Sequence, residues 1–242
     1  MTTERQQMTV GGVRVLVERK DIKNLHLGVY PPNGRVRVAA PLVTSNEAVR
    51  LAVIDKLGWI KRQRAKFAEQ PRQSKREMVS GESHYFLGRR YRLRVHVWNA
   101  PPSVAIRGLG TLDLFVRPGC SPEQREAVLL RWYREELKAL IPPLLEKWQK
   151  VLGVHVDAWG VKKMKTKWGS CNVDERRIWL NLELAKKPSH CIEYIVAHEL
   201  VHLVERKHTS RFSQLMDEHL PNWRATREEL NVGPLGHEFW TR

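Results

Sequence analysis

Tyr194-Ile195-Val196-Ala197-His198-Glu199-Leu200-Val201-His202-Leu203-Val204-Glu205-Arg206-Lys207-His208 is an HExxH motif followed six residues later by a third histidine. A helix turns about 100° per residue, so His198 and His202 stand one turn apart on one face, where two imidazoles can share one ion. Glu199 sits at the edge of that face. A carboxylate there can hold and deprotonate a water activated by a metal without being a ligand itself. His208 is the candidate third ligand, with Glu218, Glu228 and Glu229 as carboxylate alternatives. Three protein ligands leave the fourth position open, which separates a catalytic Zn2+ site from a structural one. Glu205, one turn beyond His202, is expected to support a ligand or to face solvent.

The flanks agree with a helix. Ile192, Ile195, Val196, Leu200 and Leu203 supply its buried face, Pro188-Ser189 its start and Arg206-Lys207 its end. In the longer zincin pattern HExxHxxGxxH a glycine turns the chain after the second histidine. Glu205 replaces it here, so the helix is expected to break nearer Lys207. The competing reading, surface histidines beside a solvated glutamate, leaves the apolar flanks unexplained.

At 242 residues with 42% hydrophobic content, the chain can bury a sizeable core. Met1 to Gln7 is polar, and no stretch approaches the roughly 18 apolar residues of a membrane span. A cytoplasmic protein without membrane partners is expected. Cys120, Cys171 and Cys191 form no CxxC pair and are expected to be free thiols. The net charge of +16 draws polyanions, which makes nucleic acid a candidate partner beside a protein or peptide substrate.

The fold class expected is α+β. A β-rich N-terminal part with a long helix, over 8–150, precedes a metal-site part of helices and sheet over 151–232 and a loosely held tail over 233–242. Val10 to Val17 alternates. Leu25 to Tyr30, the turn Pro31-Pro32-Asn33-Gly34 and Arg35 to Ala39 read as a hairpin. A capping box at Thr44-Ser45-Asn46-Glu47 opens one long helix to about Ala68, whose Lys61, Arg62, Arg64 and Lys66 could meet phosphates. Gln70 to Glu82 reads as an exposed connection.

Two further hairpins follow, Tyr85 to Trp98 and Ser103 to Val116, the former turning Arg92, Arg94 and His96 outward. Ser121-Pro122-Glu123-Gln124 starts a helix running to about Val151, which Pro142-Pro143 should kink or interrupt. Lys165 to Asn172 reads as a loop. Ile178 to Leu182 reads as an edge strand beside the metal that could pair with an extended peptide. Two short helices, Thr209 to Leu220 and Asn222 to Leu230, are divided by Pro221; His237 in the tail is a poor ligand. No internal repeat is evident.

The segments Lys167-Trp168-Gly169-Ser170-Cys171, Ile178-Trp179-Leu180-Asn181-Leu182 and Tyr194 to His202 resemble the YgjP-like metallopeptidases, as do His208 followed by Phe212, and Pro221-Asn222-Trp223. The resemblance covers most of residues 8 to 232. It implies a zincin-like catalytic half with His198, His202 and His208 as zinc ligands and Glu199 as base. The histidine spacing is also similar to that of SprT-type proteases, which act on proteins crosslinked to DNA. The leading expectation is therefore a zinc-dependent metallopeptidase, with oxyanion donors to be sought among Lys165, Lys167, Ser170 and Asn172. A nucleic-acid-binding module with a structural or vestigial metal site is the alternative, and hydrolysis of a non-peptide amide a third reading.

Overall fold

A computed structural model describes residues 4–30, 33–69, 76–164 and 167–231. Residues Pro31, Pro32 and Lys165, the connection at 70–75, the tail over 233–242 and His237 lie outside the described residues. The fold is α+β, as expected, and its elements fall into two compact units.

The first unit holds β1 (Glu4–Val10), β2 (Val13–Lys20), β3 (His26–Tyr30) and β4 (Arg35–Pro41) in a sheet of order β1-β2-β4-β3, then α1 (Asn46–Asp55) and α2 (Leu57–Glu69). Alternation turns Val13, Val15, Val17, Val36, Val38 and Ala40 inward, where Val49, Val53 and Ile60 of the helices join them. The helix expected as one piece is two. Ser45, not Thr44, caps α1 through the Ala48 amide, and the helix ends at Lys56, whose N–H bonds back to Val53 O.

The second unit opens with β5 (Ser83–Phe86), β6 (Arg89–Val97), β7 (Ser103–Arg107) and β8 (Thr111–Val116), in the order β5-β6-β8-β7. This repeats the first sheet strand for strand: an antiparallel hairpin, a parallel central pair and a second antiparallel hairpin, followed by a serine-capped helix. The offset is a constant 76 residues, from Gly12 to Gly88, Gly34 to Gly110 and Ser45 to Ser121. Inward Val15, Val17, Val36 and Val38 become Tyr91, Leu93, Leu112 and Leu114, all buried. Both first hairpins turn on two residues of positive φ, Gly11-Gly12 (53° and 74°) and Leu87-Gly88 (46° and 79°), as the favoured two-residue turn requires. The repeat escaped the sequence because volumes and turn geometry persist where residue identities do not.

Next comes α3 (Pro122–Leu152), 31 residues long, with both halves of its Ser121/Gln124 capping box formed. It is not interrupted at Pro142-Pro143. The two carbonyls that lose their helical donors belong to Lys138 and Ala139, which are exposed, so water can serve them. Its inner face, Leu129, Tyr133, Leu137, Ile141, Leu145 and Trp148, joins the second sheet to the remaining elements in one core. The boundary expected at 150/151 thus falls inside a single packed unit.

Those remaining elements are β9 (Ala158–Lys162), β10 (Gly169–Asn172), β11 (Arg177–Asn181), a 3-10 turn (Leu182–Lys186), α4 (Ser189–Val204), α5 (Ser210–His219) and α6 (Trp223–Asn231). The sheet order is β10-β11-β9, so β11 is central and parallel to β9. The edge strand beside α4 is therefore β10, read from sequence as a loop, and not the Ile178 to Leu182 segment. Its four residues are too short and too polar to show alternation. The Leu87-Gly88 turn docks on the run into α4, with the Leu87 and Gly88 amides donating to Ala185 O and Lys186 O.

Candidate metal centre

Helix α4 is buried along most of its length, including Ile192, Ile195, Val196, Ala197, Leu200 and Val201. The burial fixes which way its polar residues point. His198 and His202 face the start of α5, and the chain leaves the helix at Glu205 in extended conformation (φ −134°). Any residue adopts that geometry, so no glycine is needed and the helix ends before Lys207, where sequence placed the break. Thr209 then caps α5 by accepting from the Phe212 amide at 3.4 Å, which fixes His208 between the two helices.

The structure brings His198, His202 and His208 together. One ring nitrogen from each lies within 4.8 Å of the others, and the Nε2 atoms of His198 and His208 are 3.1 Å apart. A tetrahedral ion with bonds of about 2.0–2.1 Å to nitrogen requires its ligand atoms roughly 3.3 Å apart, so the set fits a zinc-sized cation. Phe212, itself buried, packs against all three rings at centroid distances of 5.0, 4.9 and 4.7 Å.

His202 Nδ1 lies 3.2 Å from the Glu205 carbonyl. A carbonyl only accepts, so Nδ1 carries the proton and Nε2 keeps its lone pair. Glu205 thus supports the site through its backbone, while its carboxylate accepts from the Lys207 amide. His198 Nδ1 is buried without a partner among the described residues. A buried ring with so little polar company suits a position where a cation takes up its other nitrogen.

Burial, with His202, His208 and Arg227 nearby, depresses His198 to about 3, and burial also lowers His202. Both rings are neutral donors at pH 7. Glu199, 5% exposed, is pushed up to about 8 by burial, with Lys167 pulling the other way. A carboxyl raised from 4.5 contributes stability below pH 4.5 that is lost as pH rises to 8. The depressed histidines contribute fully above pH 6.5 and lose it as pH falls, so between pH 6.5 and 8 Glu199 acts alone among these groups. Chelator-treated Glu199→Gln should gain about 2 kcal/mol on the wild type across that interval; urea titrations at both ends would measure it.

Gly169 of β10 fixes the glutamate's other side. A Cβ added there would lie 2.5 Å from Glu199 Oε1 and 2.7 Å from its Cγ. Gly169→Ala should cost about 1–3 kcal/mol through overpacking and lower turnover roughly 10²-fold by displacing the carboxylate. Metal content measured beside turnover should stay at the wild-type level. Asn181, buried, holds the loop entering β10: its side-chain amide donates to Met164 O (3.0 Å) and Lys167 O (2.7 Å), and its oxygen accepts from the Met164 and Glu183 amides. Sequence reading gave no role to Asn181; a lone asparagine ending an apolar strand was the available signal.

The other candidates are placed elsewhere. Glu229 pairs with His190 at 2.6 Å, and neither Glu218 nor Glu228 joins the three histidines. Asn172 accepts from the Glu175 amide, and Ser170 lies in β10. Cys171 and Cys191 are free thiols, both raised to about 11 by burial.

The family model for the YgjP-like metallopeptidase domain matches residues 23–232, most of the chain. This chain belongs to the YgjP-like metallopeptidase family. Among solved structures, it is similar to the metallopeptidase zymogen abylysin of Pyrococcus abyssi, at 19% identity and a TM-score of 0.35, over 39% of this chain and 97% of that one. No curated protein matches it. Membership of a YgjP-like metallopeptidase family implies a bound metal ion and a protein or peptide substrate. Among the described residues no helix is long and apolar enough to cross a membrane.

Proposed function

We propose that this YgjP-like protein is a zinc-dependent peptidase in which His198, His202 and His208 hold the ion and Glu199 is the general base. The observation that carries the reading is the convergence of three imidazoles within 4.8 Å beside a buried glutamate. Zinc, when bound, supplies Lewis acidity that lowers the pKa of water and polarises a carbonyl. Glu199 takes a proton from the attacking water and passes it to the leaving amine.

The substrate lies along the outer edge of β10, which is unpaired among the described residues. Backbone hydrogen bonding there aligns an extended peptide with the base. Lys167 favours the ionised form of Glu199. Metal content of the purified chain, read with hydrolysis of an unstructured protein such as casein, tests the proposal. About one zinc per chain and cleavage abolished by a chelator are expected; cleavage indifferent to the chelator would refute it.

Recruitment to nucleic acid is the second reading, favoured by the +16 charge. It also serves the alternative of a binding module with a structural metal site, which predicts no peptide turnover under any condition.

A further inference from the structure

The solvent face of the second sheet carries a continuous row of cations and rings along its central strand β6. β6 turns Arg90, Arg92, Arg94 and His96 outward, and Trp98, just past the strand, continues the row. Trp98 is 51% exposed and packs on Phe115 at 5.3 Å between centroids; His96 stacks on the same ring at 4.8 Å, with 19° between planes. Tyr85 on β5, opposite Arg90, is exposed near the other end of the row. The central acid of this face, Asp113, is buried and committed, with His96 Nε2 at 2.9 Å and Arg107 Nε at 2.8 Å. Arg92 and Arg94 have no acid partner among the described residues.

The fold does not demand these residues. At the 76-residue offset, Arg92, Arg94 and Trp98 correspond to Leu16, Glu18 and Ile22 in the first sheet, where Glu18 is buried beside Arg5, Lys20 and Arg37. At these three positions one copy carries aliphatic and acidic side chains where the other presents cations and a ring, while Arg90 and His96 match the basic Arg14 and Lys20.

We infer that the outer face of the β5-β6-β8-β7 sheet binds single-stranded nucleic acid, its arginines on phosphates and Trp98 against a base. Alternate strand residues are about 6.8 Å apart, so Arg92 and Arg94 offer two positive charges in line along the strand. Exposed rings at both ends favour a single strand over a duplex, because only unpaired bases present their faces for stacking. The inference rests on the basic-surface reading and is independent of hydrolysis, so failure of one leaves the other standing.

The test is fluorescence anisotropy of the full chain with a labelled oligo-dT of about 16 nucleotides, over a salt series. Trp98→Ile, a side chain the sister sheet carries at this position, should weaken binding roughly 10-fold at every salt concentration without changing the slope. Arg92→Gln with Arg94→Gln should make the log–log slope shallower by about 1.4, the value for two phosphates on a single strand. Tyr85→Ser gives a second stacking variant should Trp98→Ile fail to fold. Binding of a duplex or an abasic strand as tight as that of oligo-dT would overturn the inference. So would a folded Trp98→Ile chain that binds like wild type, or no binding at about 50 mM salt.

Discussion

Glu199→Gln is expected to leave the metal in place and to lower kcat about 10²- to 10⁴-fold, the range for removing a positioned general base. Glutamine preserves the length and volume that fit against Gly169, so the pocket walls need not move. It cannot accept the proton of the attacking water. The separation of effects is the diagnostic point: zinc per chain, by mass spectrometry under native conditions, stays near one while turnover collapses. Loss of both would mean that Glu199 supports the fold or the ion, and full activity would remove it from the mechanism.

His202→Ala and His208→Ala are expected to have the opposite signature. Each takes away one of three converging nitrogens, and the loss of metal affinity should exceed the 10- to 100-fold typical of disturbing a group that only orients a ligand. The two should differ in stability. His202 is partly buried on α4 and tied to the Glu205 carbonyl, whereas His208 is exposed in the link to α5. Thermal melts of the chelator-treated chains should therefore show His208→Ala close to wild type and His202→Ala lower. Tightly held metal in both variants would refute the three-histidine site.

The site helix and its histidines were legible because their signal is local. Spacing along one helix sets a common face, and apolar flanks announce burial. What escaped depends on pairing between distant segments. The edge position of β10 follows from the parallel match of β11 with β9, which the four residues Gly169 to Asn172 cannot announce. The double proline of α3 misled for a related reason: the expected break presumes that the freed carbonyls are costly, and exposure of Lys138 and Ala139 removes most of that cost. Splitting of the first helix at Lys56 was marked only by Gly58 two residues on, which a continuous helix can also carry in its interior. The tandem sheets were hidden since a repeat of shape needs only matching volumes.

The paired turns differ in what they touch. Gly12 and Gly88 share nearly the same φ, yet a Cβ on Gly12 would meet nothing within 4 Å, whereas one on Gly88 would lie 2.7 Å from Pro188. Alanine at either position bears the strain of positive φ, but only at Gly88 does it also press on the residue that starts α4. Chemical denaturation should show Gly88→Ala the more damaging by about 1–3 kcal/mol, with weaker metal retention beside it. At the first turn it is Gly11, not Gly12, that meets a helix, with an added Cβ 2.7 Å from Leu57 at the start of α2, so each hairpin braces the start of a helix through a different one of its two turn residues.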